Sequence, residues 1–215
     1  MGARMKIFLD TADLKQIRKY KDMGIIDGVT TNPTILFQTT NYTIQDLIKA
    51  TTPMPLSLEV TTNNIREMVK QAKELSGDNV VVKIPVENEF GEPCFGVIRE
   101  LEGQNIKVNA TAVMSFGQVM LAAKVGATFI SIFAGRIADE GGNSNMVITE
   151  SVRWLREWGY KSEIIVGSIR SVGDIINAAL SGADIITIPP QYLEKLYDHK
   201  YTRETVKQFM VDANK

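Results

Sequence analysis

Val80-Val81-Val82-Lys83-Ile84-Pro85-Val86 is the stretch that decides how this chain folds. Its centre is near-continuously apolar and β-branched, the pattern of a strand covered on both faces. Such strands belong to parallel sheets, and parallel neighbours need a helical crossover between them. On either side of this stretch, similar runs occupy residues 6–11, 28–31, 56–60, 107–113, 129–133, 163–168 and 184–188. Helical patterns lie between them. Ile65, Met68, Val69, Ala72 and Leu75 keep the spacing of one helix face, and so do Val119, Ala122 and Ala123. Ile175, Ile176, Ala179 and Leu180 do the same further on. Asp13, Ser115 and Ser171 stand where helix N-caps belong. Gly24, Gly126, Gly159 and Gly182 stand where helices end ahead of the next strand.

Eight alternating pairs within 215 residues, with no linker-like stretch, predict an α/β fold: a (β/α)8 TIM barrel forming a single domain over 1–215. An open doubly wound sheet would carry a glycine-rich phosphate loop after its first strand, and Leu9-Asp10-Thr11-Ala12 has none. Two more helical stretches follow the eighth strand, at 192–197 and 202–212. The second carries Thr205, Val206, Phe209 and Met210 on one face. This extra C-terminal helix docks either on a neighbouring subunit or on its own barrel. Residues 1–4 read as a leader ahead of a second start at Met5.

A chain of this size buries roughly 70% of the surface its unfolded form exposes, enough for a full core without staples. The 24 Lys and Arg nearly balance the 25 Asp and Glu, which argues against nucleic acid or an anionic membrane as partner. Cys94 is alone, so no intrachain disulfide forms, and the only histidine, His199, is too far along the chain to suggest a thiol–imidazole pair. One histidine and scattered carboxylates make a poor zinc site, so no metal is expected. No secretory signal pattern and no run of ~18 apolar residues is present, and the expectation is a cytoplasmic protein.

In a barrel of this kind the chemistry sits at the C-terminal ends of the strands. Those ends supply Asp10; Thr30, Thr31 and Asn32; Glu59; Lys83; Asn109 and Thr111; Ser131 and Arg136; and Ser168 and Arg170. The eighth ends in Pro189-Pro190 and offers nothing. Lys83 needs a reason, because lysine is seldom fully buried unless paired. Either it snorkels or is neutralised by Glu59 or Asp10, or burial disfavours its charge and leaves an amine able to attack a carbonyl. Asp10 is either a helix cap or a proton carrier. Glu59, inside Leu56-Ser57-Leu58-Glu59-Val60, is harder to explain as a cap. Together the three supply a nucleophile and the proton carriers that carbinolamine chemistry requires. Arg136 and Arg170, with Ser168 beside the latter, suit a phosphate clamp, because guanidinium matches phosphate oxygens in pairs.

Seven motifs resemble, in order, those of the small transaldolase/fructose-6-phosphate aldolase family. They are Leu9-Asp10-Thr11-Ala12, Gly28-Val29-Thr30-Thr31-Asn32-Pro33, Leu58-Glu59-Val60, Val82-Lys83-Ile84-Pro85, Asn109-Ala110-Thr111, Phe133-Ala134-Gly135-Arg136 and Gly167-Ser168-Ile169-Arg170. The resemblance spans Met5 to about Pro190. It implies sugar metabolism of the pentose phosphate type by a class I mechanism, with no metal or organic cofactor. Lys83 would form the imine with a ketose phosphate, and Asp10 would take and return a hydroxyl proton. Glu59 and Thr111 would hold the water of imine formation and hydrolysis. Asn32 and Asn109 would bind hydroxyls of the dihydroxyacetone unit, lined by Thr30 and Ser131, and Arg136, Ser168 and Arg170 would hold the phosphate. Glu59 and Phe133 stand where the aldolases carry Gln and Tyr, which implies transaldolase: transfer of dihydroxyacetone to an aldose phosphate. The alternatives are an aldolase releasing free dihydroxyacetone, a transaldolase for an unusual sugar, and a non-catalytic sugar-phosphate-binding barrel. Ser131-Ile132-Phe133 departs from the usual Ser-Pro-Phe, and the 87–92 loop is more acidic than usual. Small family members form homo-oligomers, pentamers or decamers, through the terminal helix.

Overall fold

Eight strands run β1 (Lys6–Asp10), β2 (Gly28–Thr30), β3 (Leu56–Glu59), β4 (Val80–Pro85), β5 (Val108–Val113), β6 (Phe129–Phe133), β7 (Glu163–Gly167) and β8 (Ile185–Ile188). Each pairs in parallel with the next, and β1 pairs with β8, so the sheet closes into a barrel. This is a computed structural model describing residues 4–38 and 42–215. The reading of residues 1–4 as a leader falls, but for Arg4, outside the described residues.

The crossovers are α1 (Leu14–Asp22), α2 (Pro33–Gln38), α3 (Ile44–Thr51), α4 (Ile65–Leu75), α5 (Phe95–Gly103), α6 (Phe116–Lys124), α7 (Ala134–Asp139), α8 (Ser144–Glu157) and α9 (Val172–Leu180). After β8 come α10 (Pro190–Tyr197) and α11 (Lys200–Asp212). The caps fall where the spacing puts them. Asp13, Ser115 and Ser171 each accept from a backbone N–H of the first turn, and Gly24, Gly126, Gly159 and Gly182 follow their helices with positive φ. Two crossovers hold a second helix that periodicity did not reveal, α2 before α3 and α7 before α8. Both extra helices have only six residues, too few for a repeating face.

Strand alternation divides the buried residues into two sets. Leu9, Val29, Leu58, Val82, Ile130, Val166 and Ile186 belong to the large cluster between sheet and helices. Phe8, Val81, Phe129, Ile165 and Ile185 form a separate cluster inside the barrel. Phe8 and Phe129 meet edge to face, with ring centroids 5.9 Å apart. Gly28 leaves room for the Phe8 ring, which would lie 2.6 Å from a Cβ at that position. One step below this layer, Lys6 pairs with Glu163 at 2.7 Å. One step above it, on the same strand faces, come Asp10, Thr30, Lys83, Ser131, Gly167 and Thr187. The interior is therefore layered, with its polar layer at the C-terminal ends of the strands.

No residue of α11 is buried, and Phe209 and Met210 are 64% and 61% exposed. Of the two options for the terminal helix, packing on its own barrel is not what this chain adopts. No helix of the described residues is long and apolar enough to cross a membrane.

Candidate active site

Lys83 projects into the interior from the middle of β4 and is only 5% exposed. Its Nζ donates to the Thr31 carbonyl at 2.8 Å and pairs with Glu59 Oε2, also at 2.8 Å. The β3–β4 register sets Glu59 directly beside Lys83, so the pairing follows from strand alignment. Snorkelling is thus excluded, since the amine points inward. Neutralisation by Glu59, the other plain option, is present.

Asp10 ends β1, and it is Asp13 that caps α1, accepting from Lys15 N at 2.7 Å. Asp10 is therefore not a helix cap. Its Oδ1 accepts from Thr30 Oγ1 at 2.8 Å, and Thr30 in turn makes a short hydroxyl contact with Thr187. Burial pushes the Asp10 carboxyl above its ordinary range, although the Thr30 hydrogen bond and the Lys83 charge oppose it. A carboxyl in that state is suited to exchanging protons.

Asp10, Thr30 and Lys83 line a cavity of about 190 Å3, together with Asn32, Ser131 and Phe133. Arg136, Ser168, Gly167 and Thr187 complete its wall. Asn32 Oδ1 accepts from Ile35 N at 2.9 Å, which orients the side chain. Ser131 Oγ donates to Asn109 Oδ1 at 2.7 Å, and Asn109 Nδ2 reaches Ser57 Oγ at 3.2 Å. Asn109, Glu59 and Thr111 thus stand behind the wall rather than in it. Thr111 Oγ1 is buried and makes no hydrogen bond among the described residues, so its hydroxyl still has to find a partner. Next to it, Ala112 has φ +58°, and the β5–β6 register shifts there. Such bulges re-aim side chains beside sites.

The arginines separate. Arg136 is exposed at the cavity rim. Arg170 does not line the cavity: its Nη2 donates to Asp139 Oδ2 at 2.6 Å, and its Nη1 also engages Asp139. Ser168 is held in the left-handed region at φ +59°. Gly135 packs against it so closely that a Cβ would meet the Ser168 carbonyl at 2.3 Å. Only glycine allows the start of α7 to approach the end of β7 and bring Arg136 to Ser168.

Strand eight was expected to offer nothing, which the structure corrects: Thr187 lines the cavity and bonds Thr30. Its signal was present in Ile185-Ile186-Thr187-Ile188, a polar residue on the same parity as the interior Ile185, two residues short of Pro189. The Thr31 carbonyl has no such signal, because every residue carries one. Asp139 lies three residues after Arg136, but its partner is 31 residues further on.

The fold and site together are a closed β/α barrel with a lysine–carboxylate cluster and one arginine, Arg136, at the C-terminal ends of its strands, the face on which barrel enzymes carry their chemistry. The chain belongs to the transaldolase/fructose-6-phosphate aldolase family, whose model matches residues 7–215. A probable transaldolase of Lactiplantibacillus plantarum is 40% identical, with 97% of this chain and 96% of that protein covered. Probable transaldolases of Chlorobium phaeobacteroides and Geobacter sulfurreducens are each 38% identical. The match covers 98% of both chains for the first and 97% of both for the second. Among solved structures, a mandelate oxidase variant with an FMN adduct superposes with a TM-score of 0.60 at 15% identity, covering 86% of this chain and 64% of that one. A flavocytochrome b2 variant with sulfite bound gives 0.59 at 16%, covering 87% and 57%. At those identities the likeness is one of fold alone.

Proposed function

We propose that this protein is a transaldolase that carries a dihydroxyacetone unit on Lys83. The observation that carries this reading is a buried amine, hydrogen-bonded to Glu59 and facing a cavity shared with a carboxyl whose proton affinity is raised. Lys83 Nζ passes a proton to Glu59 and attacks the C2 carbonyl of a ketose phosphate such as fructose 6-phosphate or sedoheptulose 7-phosphate. The carbinolamine loses water, assisted by Glu59 and Thr111, and leaves a protonated imine. Asp10 then takes the C4 hydroxyl proton, the C3–C4 bond breaks, and its electron pair flows to the imine nitrogen. An aldose phosphate departs and the three-carbon enamine stays on Lys83. An incoming aldose phosphate reverses these steps, recovering its hydroxyl proton from Asp10.

The other assignments rest on position. Asn32, Thr30 and Ser131 face the hydroxyls, with Asn109 held behind Ser131. Arg136 and Ser168 meet the phosphate, joined by Arg170. Phe133 brings a ring without a hydroxyl to the wall, so no phenol there protonates the enamine and frees dihydroxyacetone. The exposed apolar face of α11 supports a homo-oligomer, a pentamer or decamer, assembled around one barrel domain per chain.

Borohydride added with fructose 6-phosphate is expected to leave a permanent adduct on Lys83 in the intact mass, and none in Lys83→Met. Absence of any adduct in the native protein would sink the Schiff base. Turnover that proceeds equally well without erythrose 4-phosphate would convert the reading to an aldolase.

A further inference from the structure

Arg170 is the one member of the expected phosphate clamp that does not line the cavity. Its guanidinium presents two nitrogens to both oxygens of Asp139, the fork geometry that a phosphate would otherwise occupy. It lines a separate groove of about 430 Å3 among α7, α8 and α9. The backbone beneath it is fixed, because Arg170 N donates to Asp174 Oδ2 at 2.9 Å. The guanidinium nevertheless starts beside the cavity wall. Arg170 Nε and Ser168 Oγ each lie 2.8 Å from the point a Gly135 Cβ would take. Asp139 ends the short helix that carries Arg136, and the hydrogen bonds from Arg170, with the charges of both arginines, hold its carboxyl below the usual range.

We propose that Asp139 is a positioning residue that acts as an internal stand-in for phosphate, holding Arg170 out of the cavity until a substrate phosphate displaces it. This rests on the phosphate assignment made above, and it adds a specificity device to it. A sugar without phosphate offers Arg170 nothing in exchange for Asp139. A phosphorylated sugar offers a dianion of matching geometry, and the clamp then closes with Arg170 joining Arg136 and Ser168. The carboxylate thus lowers phosphate affinity overall and keeps a second guanidinium from leaving two unneutralised charges at an empty rim.

The test is calorimetric binding of inorganic phosphate to the full-length protein. Asp139→Asn, or Asp139→Ser if the first does not fold, is expected to bind phosphate roughly two- to fivefold more tightly than the native protein, the range set by an exposed ion pair. Asp139→Glu keeps the charge and is expected to bind as the native protein does. Glu140→Gln, a neighbouring charge change, is expected to alter binding by less than about twofold. In an Arg170→Gln background the Asp139→Asn effect is expected to disappear. The same tightening should lower KM for fructose 6-phosphate while leaving KM for unphosphorylated fructose unchanged. Unchanged or weaker phosphate binding in Asp139→Asn overturns the proposal, as does equal tightening without Arg170, which would mean bulk charge alone. Native protein that takes the borohydride label but binds no phosphate overturns the clamp and this proposal together, and leaves the Schiff base standing. An absent label with the Asp139 effect intact does the reverse.

Discussion

Two neighbouring inward-facing layers of this barrel are built from the same strands, two residues apart, yet they have opposite chemistry. Phe8, Val81, Ile165 and Ile185 form the lower layer, and Asp10, Lys83, Gly167 and Thr187 form the one above. The lower layer is an apolar plug whose members touch one another and gain stability from burial. The upper layer holds an amine, a carboxyl and three hydroxyls around a cavity of about 190 Å3; Thr30 links Asp10 to Thr187 within it, while Lys83 and Ser131 bond Glu59 and Asn109 behind it. The lesson is that a barrel separates stability from chemistry along its axis. The plug allows the layer above it to carry desolvated charge.

The largest expected effect breaks the comparison in both directions. Lys83→Met is expected to lose activity on the order of 10⁴-fold or more while keeping its circular dichroism. Ile165→Ala is expected to lose about 2–5 kcal/mol of stability in urea unfolding, with kcat per folded molecule unchanged. If Ile165→Ala abolished chemistry in the folded protein, the two layers would not be separable.

Asp10→Asn sharpens the contrast within the upper layer. Activity is expected to fall by about 10²–10⁴-fold. Stability is expected to move the other way. Burial is the largest influence on the Asp10 carboxyl, and it raises the pKa, so the native state holds that proton more tightly than the unfolded chain does. The penalty of the charged form is therefore absent below the unfolded pKa and complete above the raised native one. Asn imitates the protonated carboxyl, so the variant's Tm should exceed the native value at neutral pH and converge with it in acid. The native kcat/KM should correspondingly decline on the acid side from a pH above the ordinary carboxylate range. A Tm for Asp10→Asn below the native value at neutral pH would contradict the assigned origin of the shift.

The smallest expected effect concerns the rim. Gly135→Ala forces a methyl group onto the Ser168 carbonyl, so the start of α7 must withdraw from the end of β7. KM for phosphorylated donors is expected to rise about tenfold through misplacement of Arg136, with little change for unphosphorylated fructose. Equal losses on both donors would mean that the glycine serves the barrel rather than the phosphate.

Much of the site was legible because strand parity states which residues share a face. Asp10, Glu59 and Lys83 announced themselves as charges inside apolar runs; Asp10 and Glu59 end their strands, and Lys83 stands two residues before the end of β4. Thr187 was equally legible, but as a small uncharged residue inside Ile185-Ile186-Thr187-Ile188 it does not break the apolar run as a charge does. The α2 and α7 helices were not legible, because six residues complete fewer than two turns.

The sequence by itself determined eight parallel strands, the order of their crossovers, and polar residues gathered toward the strands' C-terminal ends, because continuous apolar runs mark strands covered on both faces and a period of 3.6 marks the helices between them. Only the tertiary structure decided who meets whom. Closure of β1 onto β8 brings Thr30 to Thr187, 157 residues away, and the β3–β4 register sets Glu59 against Lys83. The Thr31 carbonyl on Lys83 and the hold of Asp139 on Arg170 depend on which of several directions a backbone oxygen or a long side chain takes. Periodicity carries no record of that choice, since it is made by neighbours that the chain brings together only on folding.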